Sequence, residues 1–180
     1  MQRILLLDDE PNVVSAIKRV LRAGFGPDLR IDDTVEPEVA LGRLKEVAFD
    51  VVISDYRMPL ITGVEFLGLV RAIQPNAVRM ILSASSDSEN LMRAVNDAEV
   101  FRYLLKPWDE KDLLSHVRAA LERADQLRNE SELADVGRHE FGQLSAADLE
   151  RRRLEALEPG LTHVAWGPNG EVLGPDNYLS

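Results

Sequence analysis

The sequence contains no cysteine, which excludes disulfide bonds and metal sites built on thiolates. It has no apolar run long enough to cross a membrane, and its amino-terminal residues lack the pattern of a signal peptide. Basic residues are outnumbered, with 21 Lys and Arg against 31 Asp and Glu. Because an acidic surface repels phosphate backbones, no nucleic-acid partner is expected. These absences together predict a cytoplasmic protein that does not contact membranes.

Apolar patterning dominates the first 125 residues of the chain. Hydrophobic residues make up 45% of the sequence, which fits a globular core. Short apolar runs, typical of strands buried on both faces, alternate with stretches of helical spacing. The predicted strands are residues 4–7, 29–31, 49–54, 78–82 and 101–105. Each is followed by a helical pattern, which predicts an α/β fold with a doubly wound, five-stranded parallel sheet. We assign residues 1–125 to this domain and residues 126–180 to a C-terminal extension.

Polar residues end four of the five predicted strands. Asp8 and Asp9 follow the first strand, Asp55 ends the third, Ser83 ends the fourth and Lys106 follows the fifth. In parallel sheets of this kind, functional residues lie beyond the carboxyl ends of the strands. We therefore expect three carboxylates, a hydroxyl and an amine to converge on one shallow pocket.

The chemistry of that pocket points to phosphoryl transfer. Clustered carboxylates repel one another unless a cation joins them, and hard carboxylate oxygens suit Mg²⁺. Lys106 adds a positive charge suited to phosphate, and Ser83 adds a hydroxyl donor. A carboxylate can itself be the nucleophile that forms an acyl phosphate. The pattern predicts that Asp55 accepts a phosphoryl group in the presence of Mg²⁺.

Four motifs, DDEP, SDYRMP, ILSAS and YLLKPW, occur in this order at successive strand ends. Together they resemble the receiver domain of two-component response regulators, over about residues 1–125. The resemblance implies a flavodoxin-like sheet of order 2-1-3-4-5 and a cis peptide bond before Pro107. It also implies that a sensor histidine kinase transfers a phosphoryl group to Asp55.

The same resemblance implies a magnesium site. Asp9 and Asp55 would bind Mg²⁺ together with the backbone carbonyl of Arg57, and Asp8 would act largely through water. Without the resemblance, Asp8 and Asp9 are equally explained as a solvated helix start, because acids favour helix amino termini.

Roles around the phosphate are implied in the same way. Lys106 would hold the phosphoryl oxygens, while Ser83 and Tyr103 would be the switch hydroxyl and the switch aromatic. Arg57 and Ser85 stand at positions that tune dephosphorylation. Tyr103 also has an ordinary explanation as a core aromatic in a strand.

Beyond residue 125 the resemblance ends. A rough seven-residue repeat continues the fifth predicted helix, which indicates either a coiled coil or a solvated helical extension. Ser145 and Asp148 have the spacing of a helix cap, and a β-hairpin is predicted around residues 167–170. The basic run at residues 151–153 is flanked by acids, which favours a solvated helix face over a nucleic-acid patch.

These observations predict a two-component response regulator that is a switch and not an enzyme. It would signal through altered dimerisation, with a homodimer expected, or through binding of an unknown downstream protein by the C-terminal extension. The alternative is a phosphorelay carrier that passes its phosphate to a histidine phosphotransfer protein. A haloacid-dehalogenase-type enzyme would need a second acid two residues after Asp55, where this sequence has Arg57.

Overall fold

The computed structural model describes residues 1–84, 99–142 and 144–159, together with the residue pairs 165–166 and 172–173. The helix predicted after the fourth strand lies outside the described residues, as does Ser85. Among the residues that are described, no helix is long and apolar enough to span a membrane.

A five-stranded parallel sheet forms the centre of the fold, and it confirms the predicted order. The strands are β1 (Gln2–Leu7), β2 (Leu29–Thr34), β3 (Val51–Asp55), β4 (Val78–Ser83) and β5 (Arg102–Leu105). They lie in the order β2-β1-β3-β4-β5, and every neighbouring pair is parallel. All residues of β3 and β4 are buried, as their continuous apolar runs predicted.

Helices cover both faces of this sheet. They are α1 (Pro11–Phe25), α2 (Pro37–Glu46), α3 (Gly63–Ile73), α4 (Glu110–Glu140) and α5 (Ala146–Leu157), with a short 3₁₀ helix at Gly26–Asp28. Alternate residues of each strand enter two hydrophobic clusters, one beneath α1 and α4 and the other beneath α2 and α3. Local sequence defines the helix starts: proline occupies the first position of α1 and α2, and Asp109 caps α4.

Helix α4 crosses the predicted domain boundary at residue 125 without interruption. Ala124 is buried in the core, and Leu127 packs against it. Just beyond, Arg128 forms an ion pair with Asp50, which precedes β3, and Gln2 donates a 2.9 Å hydrogen bond to Asp125. The helix is therefore attached to the amino-terminal edge of the sheet as far as Arg128.

Over most of its length, the predicted seven-residue repeat is explained by packing against the sheet and not by a coiled coil. Leu113, Val117, Ala120 and Ala124 are buried against the sheet, so this part of the repeat is the core-facing stripe of α4. An apolar stripe on a helix indicates only that this side of the helix is covered, and here the sheet covers it.

After residue 128 the chain forms a helical hairpin. Arg152 of α5 forms a 2.9 Å ion pair with Asp135 of α4, and the Leu144 amide donates to the Arg138 carbonyl. Ser145 caps α5 as predicted, and no residue of α5 is buried among the described parts of the chain. Strands β6 (Ala165–Trp166) and β7 (Val172–Leu173) pair in antiparallel fashion, in agreement with the predicted hairpin.

Candidate functional site

The carboxyl ends of β1, β3 and β5 bring three charged side chains into direct contact. The Lys106 ammonium lies 2.7 Å from Oδ2 of Asp8 and 2.5 Å from Oδ1 of Asp55. Strand register explains the convergence, because Leu7 pairs with Ser54 and the strands that carry all three groups end at one edge of the sheet. The sequence prediction that these residues converge is thus correct for Asp8, Asp55 and Lys106.

This contact is largely buried. Asp8 is fully buried and Asp55 is 5% exposed, while the Lys106 side chain is 12% exposed. Buried charges are tolerated only when they are paired. Burial acts to lower the pKa of Lys106, but hydrogen bonds and charge from Asp55 and Asp8 outweigh it and raise this pKa. Lys106 therefore remains an ammonium ion between two carboxyl groups.

Asp8 has a distinct electrostatic environment. Burial raises the pKa of its carboxyl group, although the Lys106 hydrogen bond and the Glu10 amide oppose that shift. The Glu10 amide donates a 3.0 Å hydrogen bond to Oδ1, so both oxygens of Asp8 are engaged. Because burial disfavours the ionised form of Asp8, a cation bound at this carboxylate would offset the cost of its charge.

Asp9 is the predicted carboxylate that the structure does not bring into the contact. It is half-buried, and the described residues include no hydrogen bond or ion pair to its side chain. Nor do they include a group of three acidic or histidine side chains arranged around one metal position. The donors that do converge are two buried carboxylates, and Mg²⁺ commonly binds one or two carboxylates and completes its shell with water and phosphate oxygens. The chemistry of this donor set fits Mg²⁺.

The loop after β3 fixes the second oxygen of Asp55. The Arg57 amide donates a 2.7 Å hydrogen bond to Oδ2 of Asp55, while Lys106 holds Oδ1. The Tyr56 amide extends the hydrogen bonding between β3 and β4 by donating to the Leu82 carbonyl. The Tyr56 carbonyl accepts a hydrogen bond from the Gly63 amide. The backbone directly after Asp55 is thus fixed to β4 and to the start of α3.

Sequence reasoning missed two neighbours of Asp55, namely Gly63 and Ser54. A Cβ atom at Gly63 would lie only 2.0 Å from the backbone oxygen of Asp55. The buried hydroxyl of Ser54 donates a 2.9 Å hydrogen bond to that same oxygen. The available signals were a glycine at the start of an apolar helix and a serine inside the otherwise apolar run VVIS, but neither pattern specifies a contact.

Two of the remaining predicted site residues, Ser83 and Tyr103, lie on the neighbouring strands β4 and β5. Ser83 is buried at the end of β4, and its carbonyl accepts a 2.7 Å hydrogen bond from the Lys106 amide. Tyr103 is half-buried against the cluster beneath α2 and α3, and burial raises the pKa of its phenol. The bond between Lys106 and Pro107 is cis, as the resemblance implied. Ser85 is not among the described residues.

Comparison with known proteins assigns the sheet-containing part of the chain to a family. The model of the response regulator receiver domain matches residues 4–118, which is more than half of the chain. The chain belongs to the response regulator receiver domain family. Over 119 residues it is 37% identical to the hydrogenase transcriptional regulatory protein HoxA of Cupriavidus necator. That match covers 66% of this chain but 24% of HoxA, so the chain spans about a quarter of the length of that relative.

Solved structures show the same fold over the receiver part. One is described as an adenylate cyclase from Rhodopirellula baltica, with a TM-score of 0.67 and 32% identity over 74% of this chain and 96% of that one. Another is a signal receiver domain of an HD domain-containing protein from Pseudomonas fluorescens Pf-5, with a TM-score of 0.66 and 28% identity. It aligns with 71% of this chain and 92% of its own. Receiver domains of this family therefore occur in proteins of different overall activity.

Proposed function

We propose that this protein is a cytoplasmic response regulator whose Asp55 accepts a phosphoryl group from a sensor histidine kinase. The observation that carries the proposal is the contact of Lys106 with both Asp8 and Asp55 at the carboxyl edge of the sheet. An ammonium ion next to the acceptor carboxylate is placed to neutralise charge on incoming phosphoryl oxygens.

The proposed reaction is a displacement at phosphorus. An oxygen of Asp55 forms the new P–O bond while the P–N bond to the kinase imidazole breaks, and the imidazole nitrogen keeps the electron pair. The Arg57 amide and Lys106 hold the two oxygens of Asp55 in fixed directions, which lowers the entropic cost of aligning the nucleophile.

Mg²⁺ is the cofactor that fits this site. Asp8, Asp9 and Asp55 would hold it together with the backbone carbonyl of Arg57, with Asp8 acting largely through water. Bound there, the ion would neutralise negative charge on the transferring phosphoryl group. Recruitment of Asp9 would require a change from the arrangement described above, because Asp9 has no recorded contact with the other two acids.

The output is proposed to pass through a surface change. Ser83 and Tyr103 would respond to the phosphoryl group, while Arg57 and Ser85 would tune its loss. The C-terminal extension would then alter homodimerisation or the binding of a downstream protein. In this proposal the protein is a switch and not an enzyme. Neither the described residues nor the relatives favour the phosphorelay-carrier alternative, in which the phosphate passes to a histidine phosphotransfer protein.

The test is incorporation of an acid-labile phosphoryl group, measured by intact mass after incubation with acetyl phosphate and Mg²⁺. Wild type should gain one phosphoryl group, and Asp55→Asn should gain none. Asp28→Asn is the matched control, because Asp28 is an exposed acid on the 3₁₀ helix, which contains none of the proposed site residues. Labelling of Asp55→Asn at the wild-type rate would show that another residue is the acceptor.

A further inference from the structure

The polar residue inside β3 has no assigned role. Ser54 is fully buried, and it follows Val51, Val52 and Ile53 in a strand whose other members before Asp55 are apolar. A buried hydroxyl costs free energy unless it is hydrogen-bonded. Here Ser54 Oγ donates a 2.9 Å hydrogen bond to the backbone oxygen of Asp55, the residue that follows it.

The Asp55 carbonyl is enclosed on the same side by α3. Gly63 approaches so closely that an added Cβ would lie 2.0 Å from the Asp55 oxygen and 3.1 Å from Ser54 Oγ. The hydroxyl of Ser54 and the first residue of α3 therefore confine one carbonyl group between them. Because the residues of a strand alternate between its faces, the Ser54 side chain lies on the α2–α3 side of the sheet with Val52.

The confined carbonyl and the Asp55 side chain are attached to the same Cα atom. The carbonyl belongs to the peptide unit after Asp55, and its orientation sets the backbone from which the carboxylate reaches Lys106 and the Arg57 amide. Without the Ser54 hydroxyl, the carbonyl would lose that buried donor, and only the Tyr56 amide bond to Leu82 and the Gly63 contact would still hold its peptide plane. Displacements of about 1 Å at a reacting group are sufficient to lower rates by about a hundredfold.

We propose that Ser54 is a positioning residue for phosphorylation, acting through its hydrogen bond to the Asp55 carbonyl. This inference rests on the proposed function of Asp55 and extends it to a residue that does not touch the phosphoryl group. It predicts that the hydroxyl, and not merely the volume of the side chain, determines how fast Asp55 is phosphorylated.

The experiment compares four full-length variants by their maximal phosphorylation rate with acetyl phosphate at saturating Mg²⁺. Ser54→Ala removes the hydroxyl, and Ser54→Cys keeps a similar shape with a weak donor. Both should react about tenfold more slowly than wild type. Ser54→Thr keeps the hydroxyl and should restore the rate to within about threefold. Val52→Ala is the control, because it removes fully buried apolar volume from the same face of β3 without touching the carbonyl.

A wild-type rate for Ser54→Ala would overturn the proposal, and so would an equal loss of rate in Val52→Ala, since that would make the effect one of stability. A second measurement separates this proposal from the proposed function. The ¹³C chemical shift of the Asp55 carbonyl should change in Ser54→Ala and remain near its wild-type value in Ser54→Thr, without any phosphodonor. If that shift changes but Asp55→Asn is still phosphorylated normally, the hydrogen bond is real and Asp55 is not the acceptor.

Discussion

Gly63→Ala tests how closely the start of α3 determines the position of Asp55. A Cβ atom at residue 63 would lie 2.0 Å from the Asp55 oxygen and 2.9 Å from its carbonyl carbon, whereas ordinary contact begins at 3.4 Å. Because the neighbour is backbone, no change of rotamer relieves the clash. The end of β3 and the start of α3 must therefore separate by about 1.4 Å.

The size of the effect follows from that displacement. Overpacking in a well-packed site costs about 1–3 kcal/mol, so we expect the free energy of unfolding to fall by that amount. A shift of about 1 Å in a nucleophile is expected to slow phosphorylation of Asp55 by about 10- to 100-fold. Both changes share one cause, which is loss of the close approach between Gly63 and the Asp55 carbonyl.

Urea unfolding and phosphorylation by acetyl phosphate measure the two effects separately. Gly68→Ala is the matched control, since Gly68 lies on the same helix and an added Cβ there meets nothing within 4 Å. It should stabilise the protein by up to about 1 kcal/mol through helix propensity and leave the phosphorylation rate unchanged. If Gly63→Ala unfolds and reacts like wild type, the structural reasoning about this contact is refuted.

Three further predictions concern the core, the ion-pair centre and helix α4. Gln74→Leu should lower the free energy of unfolding by about 2–4 kcal/mol in urea titrations, because the Gln74 side chain makes three short hydrogen bonds to the backbone around the end of α2 and the start of β3. The raised pKa of Lys106 means that its ion pairs stabilise the fold fully below the ordinary pKa of 10.5 and lose that effect as pH rises through the folded value. Stability should therefore fall above about pH 10.5 more steeply in wild type than in Lys106→Met. Arg128→Ala should speed amide hydrogen exchange in α4 near residue 128, because its partner Asp50 is largely buried, whereas Arg123→Ala, which removes an exposed pair, should not.

The alternation of apolar runs and helical spacing was sufficient to predict the sheet. Strands buried on both faces, such as β3 and β4, can be recognised in the sequence. Each of their residues must be apolar or must have its polar group hydrogen-bonded or ion-paired. The convergence of Asp8, Asp55 and Lys106 then follows from topology alone, since parallel strands end at one edge. The local sequence also predicted the Ser145 cap of α5.

Contacts that depend on backbone distance could not be predicted. The close approach of Gly63 to Asp55 depends on the path of a loop, and the same glycine in another loop would mark only a turn. Likewise, a seven-residue repeat shows that one side of a helix is covered but not what covers it. Leu113 and Val117 are covered by the sheet, so the repeat could not distinguish an intramolecular core from a second helix.

The two ends of β3 connect the proposed acceptor with the C-terminal extension. Asp55 ends this strand at the functional edge, and Asp50, directly before the strand, holds Arg128 at the opposite edge. Helix α4 begins at its Asp109 cap, three residues after Lys106, and reaches Arg128 after about 28 Å of continuous helix. A continuous helix attached to the domain at both of these points can carry a displacement at its start along its length. A displacement of the Lys106 loop on phosphorylation is therefore expected to reach residues 129–140, and with them α5, as a change in helix direction and not as local unfolding.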